Sequence, residues 1–263
     1  MSKPTYTLDN KNESNRLENQ AKMPCYDPIR ELEGISFRDT RHLLDAGCGS
    51  GIVSRYLINR CENIQIDACD LSEQRVIQAS LLSKNDKEKE IQYFQSSLEN
   101  IQRRSDNYDA VVCRFVLQHL KDPQIAVNEL YRVIKKGGRI VLIDVDGIFF
   151  NLYSQNEKLN KYLDIIKQSV DFDFYVGRKL PSLLKNSGFK DIHYKVETMY
   201  FTGDQLHLEH KNYIERFSFV SDVLYDILKD NNAVTEFTSL YLDEVLKPEN
   251  TLFYNKFIVQ ASK

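Results

Sequence analysis

Short apolar runs alternate with helical patterns over residues 41–146, and this alternation constrains the fold more than any other feature of the chain. The strand candidates are RHLLDA (41–46), IQIDAC (64–69), IQYFQ (91–95), YDAVVC (108–113) and GRIVLIDV (138–145). Helical patterns cover residues 51–60, 72–83 and 122–135. Strands that alternate with helices in this way predict an α/β fold whose parallel sheet is covered on both faces.

The pattern changes after Asp146, where helices become longer and strands fewer. The sequence predicts helices over 154–169, from Pro181 to Gly188 and over 204–247, with strands over 190–203 and 251–262. Phe and Tyr are frequent in the helical part, which fits either helices that bury one face or a lid that contacts a substrate.

Composition narrows the possible partners. The chain has 263 residues and a formal net charge of −3, so nucleic acid is not an expected partner. It shows neither a secretory signal nor an apolar run long enough to span a bilayer, and no membrane partner is expected. Its five cysteines include no CxxC pair, which argues against a disulfide framework or a bound metal and favours a cytoplasmic location.

A glycine-rich turn, LLDAGCGSGI (43–52), follows the first strand candidate. A dinucleotide fingerprint would place a third glycine where this chain has Ile52, and no Gly-Lys-Ser/Thr follows for a P-loop. Asp45 stands two residues before the first glycine, where a carboxylate would not favour a phosphate. The turn therefore suits a ligand with a cationic amino group and an adenosine end, although an NAD-linked oxidoreductase remains a competing interpretation.

Five ordered segments resemble the motifs of class I S-adenosylmethionine-dependent methyltransferases. They are LLDAGCGSG, ACDLS, QYFQSSLENI, YDAVVCRFVLQHLKDP and ELYRVIKKGGRIVLIDVD, which together span residues 41–146. The resemblance implies a Rossmann-like fold with a mainly parallel seven-stranded sheet, an antiparallel last strand and a helical cap. It also implies S-adenosylmethionine as the cofactor.

The resemblance assigns cofactor contacts residue by residue. Gly47, Gly49 and Gly51 would form the turn around the cofactor, and Asp45 would bind its amino group through water or orient the turn. Asp70, about 20 residues beyond the turn, would accept the ribose hydroxyls.

The adenine would lie against Leu71 and the loop that contains Ser97 and Leu98. The family usually has Gly-Asp-Ala in this loop, so Ser97 replaces the usual carboxylate. Arg114, after the fourth strand, would either pair with the methionine carboxylate of the cofactor or hold its turn through backbone hydrogen bonds.

The flanking segments resemble a bacterial methyltransferase subgroup that acts mostly on small molecules. The N-terminal residues that carry this likeness are Tyr6, Leu8, Glu13, Arg16, Leu17 and Gln20. The likeness implies that the N-terminal segment closes over the cofactor, with Tyr6 and Gln20 as candidates for its methionine end.

The acceptor side of the site is less defined by the sequence. Phe115, Phe174 and Tyr175 are candidates to face the substrate, with ordinary packing between lid and core as the alternative for the aromatic segment. His119 is a candidate general base, but a histidine at a turn before a helix is more often structural. No other catalytic residue and no metal ligand is assigned.

Together these features predict one methyltransferase domain over residues 1–263. It would consist of an N-terminal helical lid (1–40), a cofactor-binding core (41–146), lid and substrate-side elements (147–250) and a final strand (251–263). The expected acceptor is a small molecule, methylated on N, O, C or S, and the expected state is a monomer or homodimer. A protein or RNA methyltransferase and a noncatalytic cofactor-binding or partner-binding module are the alternatives.

Overall fold

The computed structural model describes residues 13–84, 91–170 and 173–263. The strands are β1 (His42–Ala46), β2 (Gln65–Asp70), β3 (Ile91–Gln95), β4 (Tyr108–Arg114), β5 (Ile134–Asp146), β6 (Leu152–Tyr153), β7 (Lys190–Tyr200) and β8 (Thr251–Ser262). The helices are α1 (Glu13–Gln20), α2 (Pro28–Glu31), α3 (Ile52–Arg60), α4 (Glu73–Ser83), α5 (Pro123–Val133), α6 (Glu157–Ser169), α7 (Leu180–Ser187), α8 (Gly203–Leu228) and α9 (Asn231–Val245).

One sheet organises the chain, in the order β3-β2-β1-β4-β5-β8, with β7 pairing on β8. Strands β1 to β5 are parallel, and β8 lies antiparallel to both β5 and β7. This confirms the predicted mainly parallel sheet with an antiparallel last strand. The two-residue strand β6, which pairs with the start of β8, is an addition to the seven expected strands.

The ends of the central strands meet at one edge of the sheet. Ala46 at the end of β1 is in register with Cys69 of β2 and Cys113 of β4. Arg114 at the end of β4 is in register with Ile143 of β5. The residues that follow these strands therefore share one rim, where ligands bind in open α/β sheets.

Both faces of the parallel sheet are buried, as the apolar strand sequences predict. Leu44 and Val111 point into a core cluster that includes residues of α5 and α7, and their neighbours Leu43 and Val112 point into the opposite cluster with α3. A third cluster joins α6, α8 and α9 above the rim. This third cluster is the helical cap.

The predicted helical stretch over 204–247 is present as two helices, α8 and α9, because the chain breaks between Leu228 and Asn231. Lys229 adopts a left-handed backbone with φ +55°, and the Asp230 side chain accepts the Asn232 N–H to begin α9. This turn lets α9 fold back on α8. No helix in the described part of the chain is long and apolar enough to cross a membrane.

Candidate active site

A cavity of about 420 Å³ lies at the rim of the sheet, between the ends of β1, β2, β4 and β5 and the helical cap. Its volume falls within the range of small-molecule sites, about 300–1,000 Å³. Of the cofactor candidates, those that line it are Gln20, Asp45, Gly47, Gly49, Asp70, Leu71, Ser97, Leu98 and Arg114. The cavity thus brings together residues that are far apart in the sequence.

The glycine turn between β1 and α3 needs its glycines for steric reasons. Gly47 has φ +77°, and a Cβ there would lie 2.4 Å from Cγ2 of Val116. The Gly47 and Cys48 N–H groups both donate to the Cys69 carbonyl, at 2.8 and 2.9 Å, which ties the turn to β2. Gly51 does not line the cavity: a Cβ at this position would meet the Tyr93 hydroxyl at 2.5 Å. Gly51 therefore provides close packing between the turn and β3.

Asp70 is held at the cavity by two backbone donors. Its Oδ2 accepts the Gly49 N–H at 3.0 Å, and its Oδ1 accepts the Ser72 N–H at 3.0 Å. Ser72 in turn caps α4. These bonds orient the carboxylate at the end of β2 beside the glycine turn.

Asp45 is buried beneath the same turn. Its Oδ2 accepts the Ser54 N–H at 3.1 Å and the Ser54 hydroxyl at 2.5 Å. Burial raises the pKa of this carboxyl from 3.8 to about 6, against the opposing effect of the Ser54 hydrogen bonds. Asp45 therefore orients α3 and carries a charge at neutral pH that burial makes costly.

The loop after β3 reaches the cavity with Ser97 and Leu98. The Ser97 hydroxyl accepts the Glu99 N–H at 3.1 Å and so shapes the loop. Glu99 also lines the cavity, although sequence reasoning did not select it. Glu99 thus places an acidic residue at the cavity two positions after Ser97, which replaces the aspartate usual in the family.

Arg114 lines the cavity, but its guanidinium is bound within the protein. It donates to the Tyr26 carbonyl at 2.6 Å and pairs through Nε with the fully buried Glu31, which also accepts from Lys256 at 3.1 Å. These contacts tie Arg114 to the segment that contains Tyr26 and Glu31, and both roles considered for it stay predictions. The pairing partner, Glu31, lies in a four-residue helix that the sequence did not single out.

The turn after β4 supplies Phe115 and His119. Phe115 has φ +57°, an uncommon conformation for a bulky residue, and its ring borders the cavity. The pKa of His119 is lowered from 6.5 to about 4, chiefly by burial and in part by the positive charges of Arg16 and Arg216. His119 is therefore neutral at physiological pH and only a weak base.

Of the two candidates beyond β5 that were expected to face the acceptor, only one lines the cavity. Phe174 lines the cavity, in edge contact with Phe149 and Phe150. Tyr175 does not line it, because its ring lies beneath the Arg178 guanidinium and beside the Lys167 ammonium. The prediction that Tyr175 faces a substrate is not supported by this position.

Helix α1 closes one side of the cavity. Arg16 is buried and donates to Asn212 of α8 at 3.0 Å and to Gln20 at 3.4 Å, while Leu17 packs over Gly49. Tyr6, the other candidate for the methionine end, lies outside the described residues. No group of three or more His, Cys, Asp or Glu side chains that could hold a metal occurs among the residues described.

Sequence reasoning missed the polar residues of α8. Arg216 lines the cavity, and the fully buried Glu209 lies 3.5 Å from it. The signal was present as an arginine within an apolar helical stripe that includes Tyr213, Phe217 and Val220, a position that favours burial over solvation.

Comparison with known proteins agrees with this geometry. Residues 44–142 match the family described as "Methyltransferase domain". A ubiquinone biosynthesis O-methyltransferase from Alkalilimnicola ehrlichii is 30% identical over 102 residues, which cover 38% of this chain and 40% of that protein. The chain spans about half the length, or less, of the curated relatives it matches.

Solved structures extend the likeness of the fold beyond the core. Phosphoethanolamine N-methyltransferase 2 from Haemonchus contortus aligns with a TM-score of 0.62 at 18% identity, over 100% of this chain and 61% of that one. The cyclase SpnF aligns with a TM-score of 0.58 at 16% identity, over 90% of this chain and 80% of that one. The chain has the fold of class I methyltransferases, and the likeness in sequence to the methyltransferase family covers residues 44–142.

Proposed function

We propose that this chain transfers a methyl group from S-adenosylmethionine to a small-molecule acceptor. The observation that carries the proposal is the Asp70 carboxylate, which Gly49 and Ser72 hold beside the glycine turn at the wall of the cavity. An oriented acid in this position suits the two ribose hydroxyls of an adenosine ligand. The matching family segment supports the same assignment.

The residues along the rim fit the parts of this cofactor. Gly47 and Gly49 offer a side-chain-free surface to its methionine end, and Leu71, Ser97 and Leu98 border the space that the adenine would take. Bound there, the cofactor would supply a methyl group already activated by its sulfonium. Arg114 would act indirectly, by holding the segment with Tyr26 and Glu31 against the rim of the cavity.

The protein's own task would then be alignment and the exclusion of water. The cap contributes an apolar roof in which Phe149, Phe174 and Phe217 border the cavity. Such a roof favours a small apolar acceptor over a protein or RNA segment, which would need an open, polar groove. With a pKa of about 4, His119 is poorly suited to remove a proton from the acceptor.

Calorimetry with S-adenosylhomocysteine tests the cofactor assignment directly. We expect wild-type protein and the exposed control Glu62→Ala to bind it, and Asp70→Ala to bind at least tenfold more weakly because two hydroxyl contacts to a charged group are lost. Binding that is indifferent to Asp70→Ala, or NADH binding in its place, would refute the assignment.

A labelled-methyl transfer screen against extract of the producing cell tests the reaction. Label recovered in a small molecule supports the proposal, whereas label in RNA or protein supports the alternative acceptors. Cofactor binding without any transfer would favour a noncatalytic module. The cyclase SpnF has the same fold, so transfer must be measured and not assumed from the architecture.

Three further assignments belong to this proposal. The chain would act as one domain, with residues 1–40 as a lid, 41–146 as the cofactor core, 147–250 as lid and substrate-side elements and 251–263 as the final strand. Five free cysteines support a reducing compartment such as the cytoplasm. A monomer or homodimer is expected, and light scattering on the purified chain measures it.

A further inference from the structure

Arg216 is a buried cation inside an otherwise apolar roof. The residue is 7% exposed, lies on α8 and lines the cavity. Its Nη1 makes no hydrogen bond within the described residues and lies 3.5 Å from Glu209 Oε1, an ion-pair contact. A buried guanidinium normally has its donors satisfied, because leaving them unpaired is costly.

Glu209 gives the Nη1 nitrogen of Arg216 an ion-pair contact but no hydrogen bond, and its oxygens accept hydrogen bonds from other donors. Its Oε1 accepts the hydroxyls of Tyr26 at 3.1 Å and Tyr254 at 3.2 Å, and its Oε2 accepts from Asn212 at 3.1 Å. The buried Arg16 approaches the same place through its bond to Asn212. Among the described residues, both arginines therefore lie at this end of the cavity, beside the Glu209 carboxylate.

The rest of α8 that borders the cavity is apolar. Phe217, Val220, Val223, Leu224 and Ile227 follow Arg216 on one helical face and line the same space. Arg216 and Ile227 are eleven residues apart, which corresponds to about 16 Å of helix. The Arg216 guanidinium thus lies at one end of a long apolar wall. This end is the one nearer His119, because Arg216 contributes to the lowered pKa of that histidine.

We propose that the methyl acceptor is an apolar molecule with one anionic group, which binds the Arg216 guanidinium while the apolar body lies along α8. The inference rests on the proposed function, because it names the acceptor class of the same site. A charge-assisted bond in a water-poor cavity would discriminate strongly against a neutral analogue of the same shape.

Two fluorescent probes with the same aromatic body test this directly. 8-Anilinonaphthalene-1-sulfonate carries an anionic group, and N-phenyl-1-naphthylamine lacks it. With protein saturated in S-adenosylhomocysteine, we expect Arg216→Gln to weaken the sulfonate at least tenfold and the neutral probe less than twofold. The exposed control Arg104→Gln should change neither. Equal weakening of both probes, or of neither, overturns the proposal.

Further variants separate this role from structural ones. Arg216→Lys should restore most of the preference for the sulfonate, since it keeps the charge. The double variant Glu209→Gln/Arg216→Gln removes both buried charges and allows the measurement if the single variant unfolds. Val223→Trp should weaken both probes by filling the apolar wall, and unchanged binding would place the probes elsewhere and overturn the proposal.

Calorimetry of S-adenosylhomocysteine on Arg216→Gln completes the test. Unchanged affinity supports an acceptor role, whereas a loss of tenfold or more would assign the guanidinium to the cofactor's carboxylate and overturn the inference. If wild-type protein binds no S-adenosylhomocysteine, the proposed function fails. The comparison of the two probes on the free protein still decides whether Arg216 selects an anion.

Discussion

Replacing Asp45 by asparagine removes a charge that the folded protein buries at a cost. The pKa of this carboxyl rises from 3.8 to about 6 on folding, chiefly through burial. A difference of about two units corresponds to about 3 kcal/mol. Because the folded-state pKa is the higher one, the group's favourable contribution is complete below pH 3.8 and is lost as the pH rises through 6.

Asparagine does not titrate, so the Asp45→Asn variant should lack this loss. We expect its free energy of unfolding, relative to wild type, to increase by about 2.4 kcal/mol between pH 4 and pH 7, since part of the loss in wild type already occurs below pH 4. Any damage to the Ser54 hydrogen bonds adds a constant offset and leaves the slope unchanged.

Urea denaturation at a series of pH values, followed by circular dichroism, measures that difference. Every other titrating group is common to both proteins and cancels. A difference that stays constant within about 0.5 kcal/mol from pH 4 to 7, or that falls with pH, would refute a raised pKa at Asp45 and with it the desolvation argument.

Three other predictions use matched variants. Gly47→Ala should lower the free energy of unfolding, measured by urea denaturation, by about 3 kcal/mol, because its Cβ would meet Val116. Gly137→Ala is the matched control: Gly137 also has a positive φ, +79°, but no heavy atom lies within 4 Å, so the loss should be only about 1 kcal/mol. Glu31→Gln should cost about 3 kcal/mol in urea denaturation, because it removes the buried carboxylate that Arg114 and Lys256 share. Glu236→Gln, in an exposed ion pair, should cost much less, and equal losses would contradict this. By NMR, His119 should titrate with a midpoint near pH 4, and a midpoint above 6 would exclude the burial that the structure gives it.

The core of the fold was predictable because its signals are local. Apolar runs of four to eight residues, a glycine turn and an acid at the end of the next strand each reside within one short segment. Parallel register then places Gly47 and Asp70 side by side without further information. The antiparallel last strand followed from the resemblance, since an alternating pattern alone does not define a partner.

Contacts between distant segments were not predictable in the same way. Arg114 meets Glu31 across 83 positions, and nothing in either local sequence names the other. The break at Lys229 was also missed, because lysine and aspartate continue a helical pattern as readily as they end one. Phe174 and Tyr175 are adjacent in the segment before α7, and only the folded structure shows which of them faces the cavity.

The electrostatics of the cap bear on whether a base is needed at all. Arg16 and Arg216 lower the pKa of His119, and by the same Coulomb interaction they would lower the pKa of an acidic group bound between them. An acceptor whose reacting oxygen or nitrogen is acidic would then arrive ionised, with its proton already released to water. Such an acceptor would not need His119 as a general base. The arginines would stabilise its negative charge, so no base would have to remove a proton during the reaction. The rate with such an acceptor should therefore survive His119→Gln far better than Arg216→Gln.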